Sequence, residues 1–519
     1  MGTRTAVDLE TVGVDAPSAN RQKPARWWPW VVALVAVLIV GGTVYLAREW
    51  PFTPANVIKE LELATSSTVQ LGTFRRTFFP RPGCTAEQVV FRRGTAPNQE
   101  TMTVRRLTIE GNLTGLFTKH LALIRAEGVD VVFPPMGTGQ PWKPTESKVV
   151  VDELIASGAL LEFNRHNPQR PRVRFPVHDF VVHHLASHDP MKFEVKLRNP
   201  IPPGEVSATG TFGPWKMEQI SATPVSGNYV FRNADLGTLG GIRGMLASDG
   251  KFQGTLESIE VEGKTRTPDF GLKDTPHKLD LGSTFDAEVD ATNGDVTLRQ
   301  VKARILRTTV SARGSIAERK TEDGKSTALD LAVRSGRIQD LLILFVSAKQ
   351  APLNGVVDLR AKTFIPPGKQ PFLKKIQLTG DFGIEDAAFT KEETQGNLDK
   401  LSTAAQGKGD QTDNPDDVVS DLHGHVVVKN GVATFTGLSF RVPGAKARLN
   451  GTFDLITQKV HLHGMLSMDA KLPEATSGIK SFLLKAIDPL LKKNKRGGAK
   501  FPVSIDGTYQ HPSYHADPV

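Results

Sequence analysis

Thirteen histidines and a single cysteine are the residues from which a metal centre or a nucleophile would have to be assembled. His423 and His425 form one His-x-His pair, and His461 and His463 form another. On a β-strand both imidazoles of such a pair point to one side, which is workable metal-ligand spacing. Neither pair has a carboxylate or a third ligand fixed beside it by spacing, and both stand opposite an apolar face, so no metal is expected. His178, His183, His184 and His188 gather with Asp179 and Asp189, but at irregular intervals. Cys84, in PRPGCTAE, has no second cysteine to pair with and no histidine cluster around it. A small buried apolar residue is the expectation there, rather than a reactive thiol. No zinc-protease helix, phosphate-binding loop or nucleophile elbow occurs. GTLGGIRG, Gly237 to Gly244, is glycine-rich without matching a dinucleotide fingerprint. The carboxylates cannot be paired into an acid/base couple, because the separation that decides such chemistry is a property of the fold. The residue types point away from an enzyme and from a bound cofactor.

The elements that would carry these residues are mostly strands. In KVHLHGMLSMDAKL, Lys459 to Leu472, every second residue is apolar or small: Val460, Leu462, Gly464, Leu466, Met468 and Ala470. Successive side chains of a strand point to opposite faces, so one face is greasy and the other is mostly wet. STFDAEVDATNGDVTLRQVKARIL predicts a hairpin turning at Asn293–Gly294, and HVVVKNGVATFTGLSF predicts another at Asn430–Gly431. ARLNGTFDLITQKVHLHGML predicts a third, turning near Thr457–Gln458. Similar runs occur at Gly210–Phe212, Phe252–Val261 and Ile376–Ile384, without a strict internal repeat.

Helical signals are few. Thr53–Pro54 suits an N-cap and first turn, with Val57, Ile58, Leu61 and Ala64 on one face, which predicts a helix to about Leu63. Residues 148–160 and 337–346 carry short helical patterns. Lys391 to Asp417 is polar and loses the strand period; a short helix at its start and a mobile linker beyond it are expected. TSGIKSFLLKAIDPLLKKNKRGG is the strongest helical pattern, with Ile479, Phe482, Leu483, Ala486, Ile487, Leu490 and Leu491 on one face. Lys480, Lys485, Lys492, Lys493, Lys495 and Arg496 line the other face or the end, and Pro489 must kink it. Two roles stay open: a cap over the end of the sheet, or an interfacial helix on anionic lipid.

Length and composition set the frame. A chain of 519 residues exceeds one compact core, and 39% hydrophobic with 7% aromatic residues is lean, which fits many exposed faces. The net charge of +9 favours acidic partners such as nucleic acid, anionic headgroups or envelope polyanions. WWPWVVALVAVLIVGGTVYLA, Trp27 to Ala47, carries no charge and is long enough to span a bilayer as a helix. Trp27, Trp28 and Trp30 at one end and Tyr45 at the other suit the two interfaces. Arg21, Lys23 and Arg26 before it place the N-terminus in the cytoplasm and the rest outside, which disfavours a nucleic-acid partner. A cleaved signal peptide is the competing reading, but bulky Tyr45 sits where cleavage wants a small residue.

Many one-sided strands with few helices leave a question: a sheet with one apolar face must bury it against something. The choices are a second sheet, closure on itself, or an apolar ligand held in a curved trough. In the last case Phe435, Val460, Leu462, Leu466 and Met468 are the candidates to line it.

Several stretches together resemble the AsmA family of bacterial envelope proteins. At the start these are the single hydrophobic helix and ANVIKELELATSSTVQLGTFRRTFFPRPGCTAEQVVF, with Cys84 where an aliphatic residue is more usual. In the middle they are NPIPPGEVSATGTFGPW, GKFQGTLESIEVEGKTRTPDFGL and DATNGDVTL. At the end they are KNGVATFTGLSFRVPGAKARLNGTFDL, DAKLPEATSGIKSFLLKAIDPLL and PVSIDGTYQHPSYHAD. The resemblance covers nearly everything from Trp27 to Asp517. It implies a mainly β fold: a transmembrane helix, then an elongated, curved antiparallel β-groove with a few short helices and a C-terminal amphipathic helix. It divides the chain into a cytoplasmic tail (1–26), a membrane helix (27–47), a periplasmic β-rich region (48–390), a linker or insertion (391–417) and an AsmA-like C-terminal domain (418–519). It further implies an inner-membrane anchor, phospholipid as the partner and a part in outer-membrane homeostasis through lipid transport, with no catalytic residues to carry over. A non-catalytic envelope assembly or scaffold factor is the alternative. Trp27, Trp28, Trp30, Ile479, Phe482, Leu483, Lys485, Ile487 and Leu490 are the candidate membrane-interface residues.

Overall fold

A computed structural model describes residues 52–516 except 94–99, 113–119, 134–148, 165–168, 170, 187, 217–218, 274, 319–323, 369, 407–419 and 470–498. The hydrophobic stretch 27–47 and the amphipathic pattern 476–498, and with them all nine candidate membrane-interface residues, lie outside this set. Among the described residues no helix is long and apolar enough to cross a membrane.

The fold is mainly β, one sheet of 25 strands curled into a half-barrel. Its order follows the chain almost strand by strand, because short turns join neighbours that are antiparallel. Three hairpins fall where the sequence predicts them. At the second, Asn430 and Gly431 adopt φ of 54° and 82°, the left-handed pair that a two-residue turn between twisted strands requires. At the first, the Asp290 carboxylate accepts from Thr292 N at 2.8 Å. At the third, Asp454 accepts from Ile456 N and Thr457 N, each at 2.8 Å, and these bonds hold its carboxyl below the usual range.

One pairing departs from the antiparallel expectation. β5 (His120–Phe133) and β6 (Val150–Phe163) run parallel, so the chain must cross over between them. β6 is also where the short helix at 148–160 was expected. It is a strand with partners on both sides, β5 and β7 (Val173–Leu185). Gly158, at φ 59°, interrupts the two-residue alternation: Leu154 and Ala156 lie on one parity, Ala159, Leu161 and Phe163 on the other. That phase change imitates a helical repeat in the bare sequence.

Three of the other helices fall on the helical patterns, and Phe372–Lys375 is an added single turn. α1 spans Pro54–Thr65 with Val57 buried, and α2 spans Ile338–Leu342, continued by a 3-10 turn at Ile343–Phe345. α3 is a single turn, Phe372–Lys375. α4 occupies Glu392–Ala405, the first half of the polar stretch. The sheet is continuous around it: β19 (Gln377–Phe389) pairs directly with β20 (Ser420–Lys429), so the C-terminal strands extend the same ladder.

At about 4.8 Å per strand, the contour of this sheet along its hydrogen bonds is on the order of 100 Å. Its core is distributed in patches, one around Val333, Ile338, Leu353, Val357, Ile384 and Ala387, another around the last strands. Cys84 is 1% exposed in β3 (Gly83–Arg93), and burial pushes its thiol up to about 12. We expect Cys84 to resist iodoacetamide at pH 8 in the folded chain and to alkylate fully in urea; rapid labelling of the native protein would contradict this packing.

Candidate functional site

The cross-strand register builds the site. Directly opposed residues of paired strands share a face, so a row can be followed from strand to strand. It begins Phe74, Ala86, Leu107, Ala126, Ala156 and Phe180. It continues through Val195, Ala208, Tyr229, Gly250, Gly263 and Phe285. Then come Val301, Ala312, Leu331, Ala361, Gly380 and Val426. It ends Phe435, Gly451, Leu462, Ile505 and Tyr514. No residue of the row carries a charge, and each is buried or half-buried. Along β8 (Met191–Pro200) the flanking residues differ: Lys192, Glu194, Lys196 and Arg198 are exposed around Phe193, Val195 and Leu197. The row therefore marks the concave, shielded side of the curl.

Two glycines of the row, Gly250 and Gly263, lie under aromatic rings. A Cβ at Gly263 would stand 2.6 Å from Tyr229 Oη and 2.9 Å from Phe285 Cζ. The rings need that space, and they cover backbone that would otherwise face open trough. Tyr229 is fixed there by Ser248 Oγ at 3.0 Å, and burial raises its phenol.

The opposite face carries the charges. Lys251 pairs with Glu262 at 3.1 Å, Arg266 with Asp280 at 3.1 Å, and Arg299 with Glu260 at 3.0 Å and Glu288 at 2.9 Å. These pairs are exposed and contribute little stability; they keep the convex face in water.

The last strands hold a partly open cavity of about 290 Å³ with almost wholly apolar walls. Its floor is built from β21 (Val432–Val442), β22 (Ala445–Asp454), β23 (Lys459–Met468), β24 (Ala499–Thr508) and β25 (Pro512–Ala516). Helix α4 forms its roof with Thr394, Asn397, Leu398 and Leu401. The helix is tied at both ends. Near its start Lys391 Nζ donates to Gln510 O at 2.7 Å, and Thr390 and Thr394 bond the half-buried Tyr509 and Tyr514 phenols, which burial pushes up. Near its end Ser402 Oγ donates to Pro443 O at 2.9 Å, with Ala405 fully buried. Its other side is buried and polar: Gln395 Nε2 donates to Asp399 Oδ1 at 3.0 Å, and Gln395 Oε1 accepts from Phe389 N at 2.9 Å.

Of the five sequence candidates, Val460, Leu462 and Leu466 line this cavity. Phe435 packs beside it, edge-on to Phe382 with centroids 6.1 Å apart, and Met468 is 3% exposed within the cluster below. Sequence reasoning missed the roof. The signal was there in Leu398, Leu401 and Ala405, a helical face inside a stretch dominated by polar residues.

The histidines are dispersed. His425 Nδ1 lies 2.7 Å from Asp381, and His461 Nδ1 bonds Asp506. His178 faces Glu205 at 3.5 Å, His183 faces Glu153 at 3.7 Å, and His184 faces Asp189 at 3.2 Å, so no two share a centre. Among the described residues no three His, Cys, Asp or Glu side chains converge on a point.

No protein-family model, curated protein or solved structure matches the chain.

Leu466, 5% exposed, and half-buried Leu462 should respond differently to truncation. Leu466→Ala is expected to destabilise the fold by about 2–5 kcal/mol and Leu462→Ala by less. Urea unfolding followed by near-ultraviolet circular dichroism compares them, and equal losses would mean that Leu462 is core rather than trough.

Proposed function

We propose that this chain is a non-catalytic, membrane-anchored carrier whose apolar trough holds the acyl chains of phospholipids, with headgroups left toward solvent, and that it works in intermembrane lipid transport in the bacterial envelope. The observation that carries this reading is the uncharged row from Phe74 to Tyr514. An apolar face of that contour, only half-buried over most of its length in the described residues, calls for an apolar ligand along it. A lipid satisfies it without base, nucleophile or metal. The AsmA resemblance of the sequence supports the same reading, and so does the charge-free stretch Trp27–Ala47, which we propose as the inner-membrane anchor with the bulk of the chain in the periplasm.

The test is site-specific photocrosslinking in bacterial cells expressing the full chain. Benzoylphenylalanine replaces Leu462, Val301 or Phe180 on the concave side, or His461 on the convex side. Phospholipid adducts are expected from the three concave positions and not from position 461. Adducts absent throughout, or equal on both sides, would sink the carrier reading.

A further inference from the structure

The most exposed large apolar side chains among the described residues stand together. Phe79 is 88% exposed and Phe78 59%, in the turn between β2 (Thr73–Thr77) and β3. Folding does not hide them, and water solvates two adjacent phenyl rings poorly. The charged residues within three positions of them along the chain are all arginines. Arg75 and Arg76 are exposed on β2 just before the turn, on opposite faces of the strand. Arg81 follows the rings, 59% exposed, with only a 3.5 Å contact to Glu110. Aromatic rings at a tip with guanidinium groups behind them match the two layers of a bilayer surface: apolar boundary in front, anionic headgroups behind.

The turn stands at one strand edge of the sheet. It lies at the first corner of the sheet, four residues beyond Phe74, where the apolar row begins. A second exposed apolar residue, Ile201 at 58%, occupies the turn between β8 and β9 (Pro203–Phe212), at the other strand edge, and has no arginine cluster beside it.

We propose that the Phe78–Phe79 turn, with Arg75, Arg76 and Arg81, is a membrane-contacting element that seats the first corner of the sheet on an anionic lipid surface. The proposal rests on the anchor put forward above, and it is independent of what the trough carries.

The experiment uses the full chain reconstituted into vesicles of phosphatidylethanolamine and phosphatidylglycerol. Phe79→Cys and, separately, Ile201→Cys are labelled with the environment-sensitive fluorophore NBD; buried Cys84 leaves the introduced thiol as the reactive one. Flotation first reports whether the protein is with the vesicles. The label at position 79 is expected to emit at shorter wavelength and to lose emission when doxyl-labelled phosphatidylcholine is included, while the label at 201 stays water-like. Adding Arg75→Glu and Arg81→Glu to the Phe79→Cys chain should return its emission toward that of position 201. Floated protein with both labels equally water-like would overturn the membrane contact and leave the anchor standing. Protein that does not float would overturn both. A label at 79 that shifts only in native membranes, and not in pure lipid, would assign the turn to a protein partner instead.

Discussion

Everything in this molecule depends on the cross-strand register of one hydrogen-bonded ladder. A slip of one residue between any two strands would turn the apolar side of all later strands to water, because side chains alternate with a period of two. The bulges are placed accordingly. Register shifts at Leu298/Val301, Ile384/Ala387 and Phe435/Leu438 bend and twist the strands, yet the row from Phe74 to Tyr514 passes through intact pairs. The ladder thus combines the curl of a half-barrel with an uninterrupted apolar side.

A sheet with this geometry has an unusual relation to its own core. In a compact domain the apolar face meets another layer and is buried outright. Here most of the row is only half-buried in the folded chain, and full burial is confined to patches such as those at Val357 and Leu466. Helix α2 packs Leu341 and Leu342 on the patch around Val357, and α4 shows covering more fully. Helix α4 is tied to the β24–β25 turn at one end and to the β21–β22 turn at the other, so it crosses the trough like a strap and roofs a cavity beneath it.

The charged residues complement this. Many lie on the convex side, where cross-strand pairs keep a large surface soluble, and His183, His425 and His461 each face a carboxylate. Spread along separate strands, these groups solvate the protein rather than assemble into a centre.

The sequence by itself determined the strand grammar, the three hairpins, α1 and the alternation that marks Val460, Leu462 and Leu466, because period-two patterning and Asn-Gly turns act over a few residues. It also determined that Cys84 is a packing residue and that His461 and His463 face away from the apolar side. Only the tertiary structure decided the rest. The parallel β5–β6 pair depends on a crossover that leaves no local pattern, and β6 read as helical because Gly158 shifts the phase of its strand. The row across the whole sheet exists only through pairing of residues distant in sequence. The roof over the cavity came from a segment that is mostly polar: Gln395, Asp399 and Ser402 are buried because partners elsewhere in the fold satisfy them, which composition alone cannot reveal.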